Sequence, residues 1–279
     1  MDTAAPISTT TTTDLPAIGA KHRALWASGD YPAVAADLIP GLGATLVEAA
    51  GVTAGQRVLD VGAGTGNAAI PAALTGADVV ASDLTPELLA AGERIAADRG
   101  ANLQWVEADA HAMPFEEGEF DTVLSCVGVM FAPFHERAAA ELLRVCRSGG
   151  TIGLLSWTPE GFVGRLFATM KPFAPPPPPG ASPAPLWGSE DHVRALLGDG
   201  VRELRAERRT ATFAVSDTPE AFREWWKRNY GPTIAVYRSL AGDPDRTADL
   251  DAAFLRMLDE TRSGAAWEAE YLLVTAIRA

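Results

Sequence analysis

Basic residues are scarce in this chain. Lysine and arginine total 23 against 36 aspartates and glutamates, a formal charge of -13 at pH 7. Such a surface repels phosphate backbones, so a nucleic-acid substrate would need a local basic patch. The densest candidate, residues 201–209, is interrupted by Glu203 and Glu207 and reads as a solvated face. Cysteine is scarcer still. Cys126 and Cys146 are the whole complement, too few for a disulfide framework and suited to a reduced, cytoplasmic protein. Cys126 lies in an apolar strand and Cys146 at the end of a helical pattern, and both read as buried thiols. Four scattered histidines, with no C-x-x-C or H-x-x-x-H spacing, offer no metal site. No apolar run is long enough to cross a membrane. Residues 1–16 are rich in threonine and lack the basic-then-apolar order of a signal peptide; a flexible N-terminal tail is expected there.

What is present is ordinary globular material, 47% hydrophobic and 21% charged, organised around residues 58–67, VLDVGAGTGN. An apolar run stops at Gly62, Gly64 and Gly66, and an alanine-rich helical pattern follows. This is the pattern of a buried parallel strand, a tight turn and a helix start. Glycines let the backbone approach a ligand, and a helix start presents free N–H groups to it. The spacing is G-x-G-x-G with Asp60 in front, not the G-x-G-x-x-G of dinucleotide folds, which counts against an NAD-dependent oxidoreductase without removing it as an alternative.

The DVGAGTG core with its leading Asp60 resembles motif I of the class I S-adenosylmethionine-dependent methyltransferases. The downstream residues follow the same order. A second strand ends at Asp83, seventeen residues past Gly66, with Thr85 as an N-cap and Pro86 at the first helical position. A carboxylate at that strand end can accept both hydroxyls of a ribose. A third strand ends at Asp109, where the resemblance implies contact with the adenine amino group through the acid and with a ring nitrogen through the N–H of Ala110. The fourth strand, residues 120–134, carries Ser125, Cys126, Val127 and Gly128 where amino methyltransferases acting on exocyclic or amide nitrogens carry Asn/Asp-Pro-Pro-aromatic. It also lacks the acidic pair that holds Mg²⁺ in catechol-type enzymes. A helix, a Ser-Gly-Gly turn at residues 148–150 and a fifth strand complete the series, and the chain is most similar to the small-molecule, ubiquinone-biosynthesis-like bacterial branch seen in secondary metabolism.

The resemblance implies an α/β fold: a Rossmann-like, seven-stranded, mostly parallel sheet with an antiparallel last strand, helices on both faces, and helical cap insertions. We expect a single domain over 17–279, with N-terminal helices over the cofactor (17–51), a cofactor-binding core (52–157), a proline-rich lid region (158–207) and a helical cap (216–270) before a last strand at 271–278. Strand six is expected at 208–215. The cofactor-binding set is Tyr31, Asp60, Gly62, Ala63, Gly64, Gly66, Asp83, Leu84, Asp109, Ala110 and Ser125, holding S-adenosylmethionine and its product S-adenosylhomocysteine. His111 belongs to the adenine-side loop. His135 and Tyr230 are the candidates for the reacting centre, His135 as a base just past the fourth strand and Tyr230 on the acceptor side. No metal, nucleic acid or membrane partner is expected; the partner is a small-molecule acceptor, and homo-oligomerisation is left open. A non-catalytic S-adenosylmethionine-binding protein remains the main alternative.

Overall fold

The computed structural model describes residues 15–279. The expected tail therefore lies outside the described residues, apart from Leu15 and Pro16, which open the first helix, α1 (Leu15–Trp26). Two short helices follow, α2 (Tyr31–Leu38) and α3 (Leu42–Ala49). Pro32 sits in the first turn of α2, and the Asp30 carboxylate caps that helix by accepting from the Ala33 N–H at 3.1 Å. Pro40 falls in the break before α3, so the two prolines divide this region as their chemistry dictates.

Five strands then run parallel: β1 (Arg57–Val61), β2 (Asp78–Asp83), β3 (Gln104–Glu107), β4 (Phe120–Cys126) and β5 (Cys146–Trp157). Helices α4 (Ala69–Leu74), α5 (Pro86–Asp98) and α6 (His135–Val145) connect them. β1 is central, with Leu59 beside Val80 on one side and Val123 on the other. Such strands are buried on both faces and read as unbroken apolar runs, and Val58, Leu59 and Leu124 are fully buried. The Ser-Gly-Gly segment becomes a bulge at the start of β5, the register jumping from Phe120 opposite Cys146 to Thr122 opposite Thr151.

After β5 come α7 (Phe162–Met170), an extended proline-rich stretch and α8 (Glu190–Leu197). The Ser182 N–H bonds the Pro133 carbonyl at 2.9 Å, tying the proline-rich stretch to the loop after β4. The sheet closes with β6 (Val201–Phe213) and β8 (Ala266–Arg278), which run antiparallel to each other, β8 also lying antiparallel to β5. The strand order is β3-β2-β1-β4-β5-β8-β6, with the two-residue β7 (Arg262–Ser263) turning back onto β8. β6 begins earlier than the sequence suggests because 201–209, the solvated face, is an edge strand. Its charges pair locally, Glu207 with Arg209 and Arg208 with Glu270, and charged edge strands resist pairing with other chains.

Between β6 and β8 stand α9 (Pro219–Asn229), α10 (Gly231–Ser239) and α11 (Pro244–Thr261). Thr218 and Asp243 cap α9 and α11, accepting from the N–H groups of Ala221 and Arg246. This insertion docks through rings: Phe222 against Trp267 at 4.4 Å, and Trp226 stacked on Phe162 at 5.9 Å. It also meets the N-terminal helices. The Asp30 N–H donates to the Asn229 carbonyl at 3.0 Å. Among the described residues no single helix is long and apolar enough to cross a membrane; α2 and α3 pass that test only as a pair bent by 70°.

Candidate functional site

The chain leaves β1 toward β2 and β3 on one side and returns as β4 on the other. Open α/β sheets bind ligands at such a reversal, outside the carboxyl ends of the strands. A cleft opens there, lined by residues of α1 and α2 and of the loops after β1, β2, β3 and β4.

Its floor is made by the loops after β1 and β4, which touch backbone to backbone. Gly62 has φ +67°, and a Cβ placed on Gly128 would stand 2.3 Å from the Gly62 carbonyl oxygen. No other residue type fits the Gly128 position without moving a loop. Ser125, expected at the cofactor, ties this floor from below: its hydroxyl donates to the Val61 carbonyl at 2.6 Å and accepts from the Val129 N–H at 2.8 Å. Between them Val127 adopts φ +56°, a conformation strained for a β-branched side chain and the reason β4 ends at Cys126 instead of running on to Phe134. The Val127 N–H is held by the Leu155 carbonyl at 2.8 Å.

Asp83 stands on one wall. The Gly64 N–H donates to its Oδ2 at 2.9 Å and the Thr85 N–H to its Oδ1 at 2.8 Å. A carboxylate has about four acceptor positions, so two remain for a ligand. Burial raises the Asp83 pKa, and the amide donors work against that rise. Thr85 holds the N-cap position of α5, but its hydroxyl makes no capping bond.

Asp109 and His111 form a second wall. The His111 backbone N–H donates to Asp109 Oδ1 at 2.9 Å, and the ring Nδ1 lies 2.7 Å from the same oxygen. The Phe134 N–H donates to His111 Nε2 at 3.2 Å, which assigns the ring proton to Nδ1. Burial pushes the Asp109 carboxyl upward, but the His111 bonds prevail and hold it below the usual range.

The roof comes from α1 and α2. An ion pair between Arg23 and Glu107 fastens α1 to β3. Trp26 packs edge-on against Phe131 at 4.6 Å and Tyr31 at 5.3 Å. Burial, and then the Asp83 charge, raise the Tyr31 pKa, so its phenol stays neutral.

A second, inner cavity adjoins the first. It shares Tyr31 and Val127 with the cleft and is otherwise enclosed by residues such as Val34, Leu38, Trp157, Phe213, Trp226 and Tyr230. Tyr230 is buried, and burial followed by the neighbouring Tyr31 pushes its pKa well up.

Of the residues singled out in the sequence, Tyr31, Gly62, Gly64, Asp83, Leu84, Asp109 and Ala110 line the cleft, and Tyr230 lines the inner cavity. The others do not. Ala63 bonds the Ser82 carbonyl through its N–H, and Gly66 (φ +87°) gives way to the Trp105 ring. His135, expected near the reacting centre, is buried beneath the loop, its Nδ1 2.9 Å from His192 Nε2 and its ring beside Trp187. Burial, then His192, lower its pKa to about 4. It lines neither cavity and has no route to a proton there. Trp26, Phe131, His22 and Gly128 also line the cleft, with no cofactor role expected of them from the sequence. Of these only Gly128, a glycine directly after a buried strand, carries a local signal.

Asp60 also lies under the loop. Its Oδ2 accepts from the Ala69 N–H at 2.8 Å, holding the start of α4, and its Oδ1 has no partner among the described residues. Burial raises its pKa to about 7. The folded state therefore keeps a proton that the unfolded chain releases near pH 4, and this contribution to stability fades as pH rises through about 7. Asp60→Asn keeps an acceptor for Ala69 and removes the titration. Melting curves of the two proteins should diverge in favour of the variant between pH 5 and pH 8; a constant difference across that range would show Asp60 ionised in the fold.

Strand order, glycine loop and paired acids together define a Rossmann-like fold of the methyltransferase type. The comparisons agree. A family model for a methyltransferase domain matches residues 58–150. The chain is 49% identical to the uncharacterized protein Rv1405c of Mycobacterium tuberculosis over 93% of its length and 94% of that protein. It is 40% identical to a demethylmenaquinone methyltransferase of Renibacterium salmoninarum over 38% of this chain and 44% of that one. Among solved structures, the YcgJ protein of Bacillus subtilis is similar with a TM-score of 0.58 at 17% identity, covering 85% of this chain and 97% of the other. Residues 58–150 thus belong to the methyltransferase domain family, and their motifs are those of its class I members, whose cofactor is S-adenosylmethionine.

Proposed function

We propose that this enzyme methylates a small-molecule acceptor held in the inner cavity, by in-line displacement, within bacterial secondary metabolism. The observation that carries this is the junction of the two cavities at Tyr31 and Val127: a donor in the cleft and an acceptor in the inner cavity meet there.

The cleft fits the cofactor's chemistry. The two open acceptor positions of Asp83 suit the ribose hydroxyls, and the amides of the Gly62–Gly64 loop approach what lies against them. Asp109, oriented by His111, and the Ala110 N–H suit the donor and acceptor edges of adenine. Trp26 and Tyr31 present ring faces and edges over the mouth, and electron-rich rings favour a nearby cation. When bound, the cofactor supplies a methyl group on a positively charged sulfonium, already activated for transfer. The protein's part is alignment, which can lower a barrier by roughly 7–11 kcal/mol. Tyr31 and Tyr230 keep their protons at neutral pH, so they donate hydrogen bonds to an acceptor and do not act as bases.

The test uses methyl-labelled S-adenosylmethionine with a mixture of small neutral acceptors, bulk RNA and bulk protein. Label should appear in the small-molecule fraction. Label confined to the macromolecules would overturn the proposal.

A further inference from the structure

Val127 and Tyr31 are the two residues that border both the cleft and the inner cavity. The Val127 backbone stands at φ +56°; among the described residues the one other non-glycine with positive φ is Glu203, exposed on the edge strand β6. A glycine would hold that conformation free of strain, so the path of the loop does not account for a β-branched side chain there. Nor does core packing. Cys126 before it and Val129 after it are buried, whereas Val127 stays partly accessible and opens onto the two cavities. The wall it makes is stiff. Its N–H is held by the Leu155 carbonyl at 2.8 Å, and a valine side chain has little freedom at χ1. Gly128, the next residue, is already in backbone contact with Gly62, so the loop has no room to draw back toward β1.

We propose that the Val127 side chain sets the size of the alkyl group on the cofactor's sulfur, admitting methyl and excluding ethyl and anything longer. This rests on the reading above, in which donor and acceptor meet where the two cavities join, and it adds the residue that makes that meeting selective. An extra methylene pressed against a wall that cannot yield costs binding as overpacking does in a core. Tyr31, the other residue at the junction, is braced edge-on by Trp26 at 5.3 Å, so it gives no room either.

S-adenosylmethionine and its ethyl analogue, S-adenosylethionine, carry the same charge and differ by one methylene; S-adenosylhomocysteine lacks the alkyl group altogether. Their dissociation constants are measured by titration calorimetry on wild type, Val127→Ala and Val127→Gly. Wild type should bind the methyl compound at least about tenfold tighter than the ethyl one, the discrimination expected for a methylene in a shaped pocket. Val127→Gly should bring the two to nearly equal affinity, with Val127→Ala in between. Comparing the two sulfonium ligands within one protein cancels any change in the order of the loop itself. Glycine suits the left-handed backbone, so that variant should fold, and the wild-type ranking tests the proposal by itself. Equal affinity for the methyl and ethyl compounds in wild type, or the full wild-type preference kept in Val127→Gly, would overturn it while S-adenosylhomocysteine binding stands. Loss of S-adenosylhomocysteine binding in both variants would overturn it too, because the side chain would then serve the loop instead of the alkyl group. Failure of wild type to bind S-adenosylhomocysteine would overturn the underlying reading and this proposal together.

Discussion

Gly128→Ala should cost this protein both stability and cofactor affinity. A Cβ at that position meets the Gly62 carbonyl oxygen at 2.3 Å and the Val61 carbonyl oxygen at 2.7 Å, backbone atoms that cannot rotate away. The loops after β1 and β4 must separate, and the Ser125 hydroxyl that joins Val61 to Val129 loses at least one partner. Overpacking of this kind costs about 1–3 kcal/mol, and each kcal/mol lowers the melting temperature of a chain this size by roughly 2–4 °C. Because the displaced atoms form the floor of the cleft, affinity for S-adenosylhomocysteine should fall more than tenfold. Gly242→Ala is the control: a Cβ there meets nothing within 4 Å, and the variant should melt within about 0.5 kcal/mol of wild type. Differential scanning calorimetry and titration calorimetry read both effects. Equal behaviour of the two variants would show that the loops do not hold each other in place.

Asp83→Ala should have the largest effect on ligand binding. Two hydrogen bonds to a carboxylate, at about 1.5–3 kcal/mol each, correspond to roughly a hundredfold to ten-thousandfold in affinity. The variant also strands the N–H groups of Gly64 and Thr85, which donate to Asp83 in the free protein, so part of the loss will appear as a looser loop. Asp83→Asn loses the charge and keeps one acceptor oxygen for the two N–H donors of Gly64 and Thr85, and it should fall between wild type and alanine. A loss below tenfold for alanine would remove Asp83 from the ribose position.

What could be read in the sequence was what local chemistry encodes. The strand–loop–helix unit around Gly62 and Gly64, Asp83 at the end of β2 and Asp109 after β3 are each marked by an apolar run ending in glycine or acid, and all line one cleft. The rest depended on partners distant in the chain. Asp60 and Ser125 belong to the same stretches but point their polar atoms at backbone, holding α4 and the two loops. His135 follows β4 closely, which suggested the reacting centre; the turn into α6 instead places its ring beside Trp187 and His192, residues more than fifty positions later. Strand β6 was seen late because its charged side chains show no apolar face, a consequence of its place at the sheet edge. The strained Val127 has no signal in the sequence, since its conformation follows from the contact of Gly62 with Gly128.

The central claim is that the cleft between β1 and β4 is the S-adenosylmethionine site. Thermal unfolding of the wild-type protein with S-adenosylmethionine, S-adenosylhomocysteine or NADH tests it most directly. A ligand at about a hundred times its dissociation constant adds roughly 2.7 kcal/mol, a rise of several degrees here. Both adenosyl ligands should raise the transition in wild type, NADH should not, and Asp83→Ala should lose the response. A shift with NADH alone, or an adenosyl shift that survives intact in Asp83→Ala, would contradict the account.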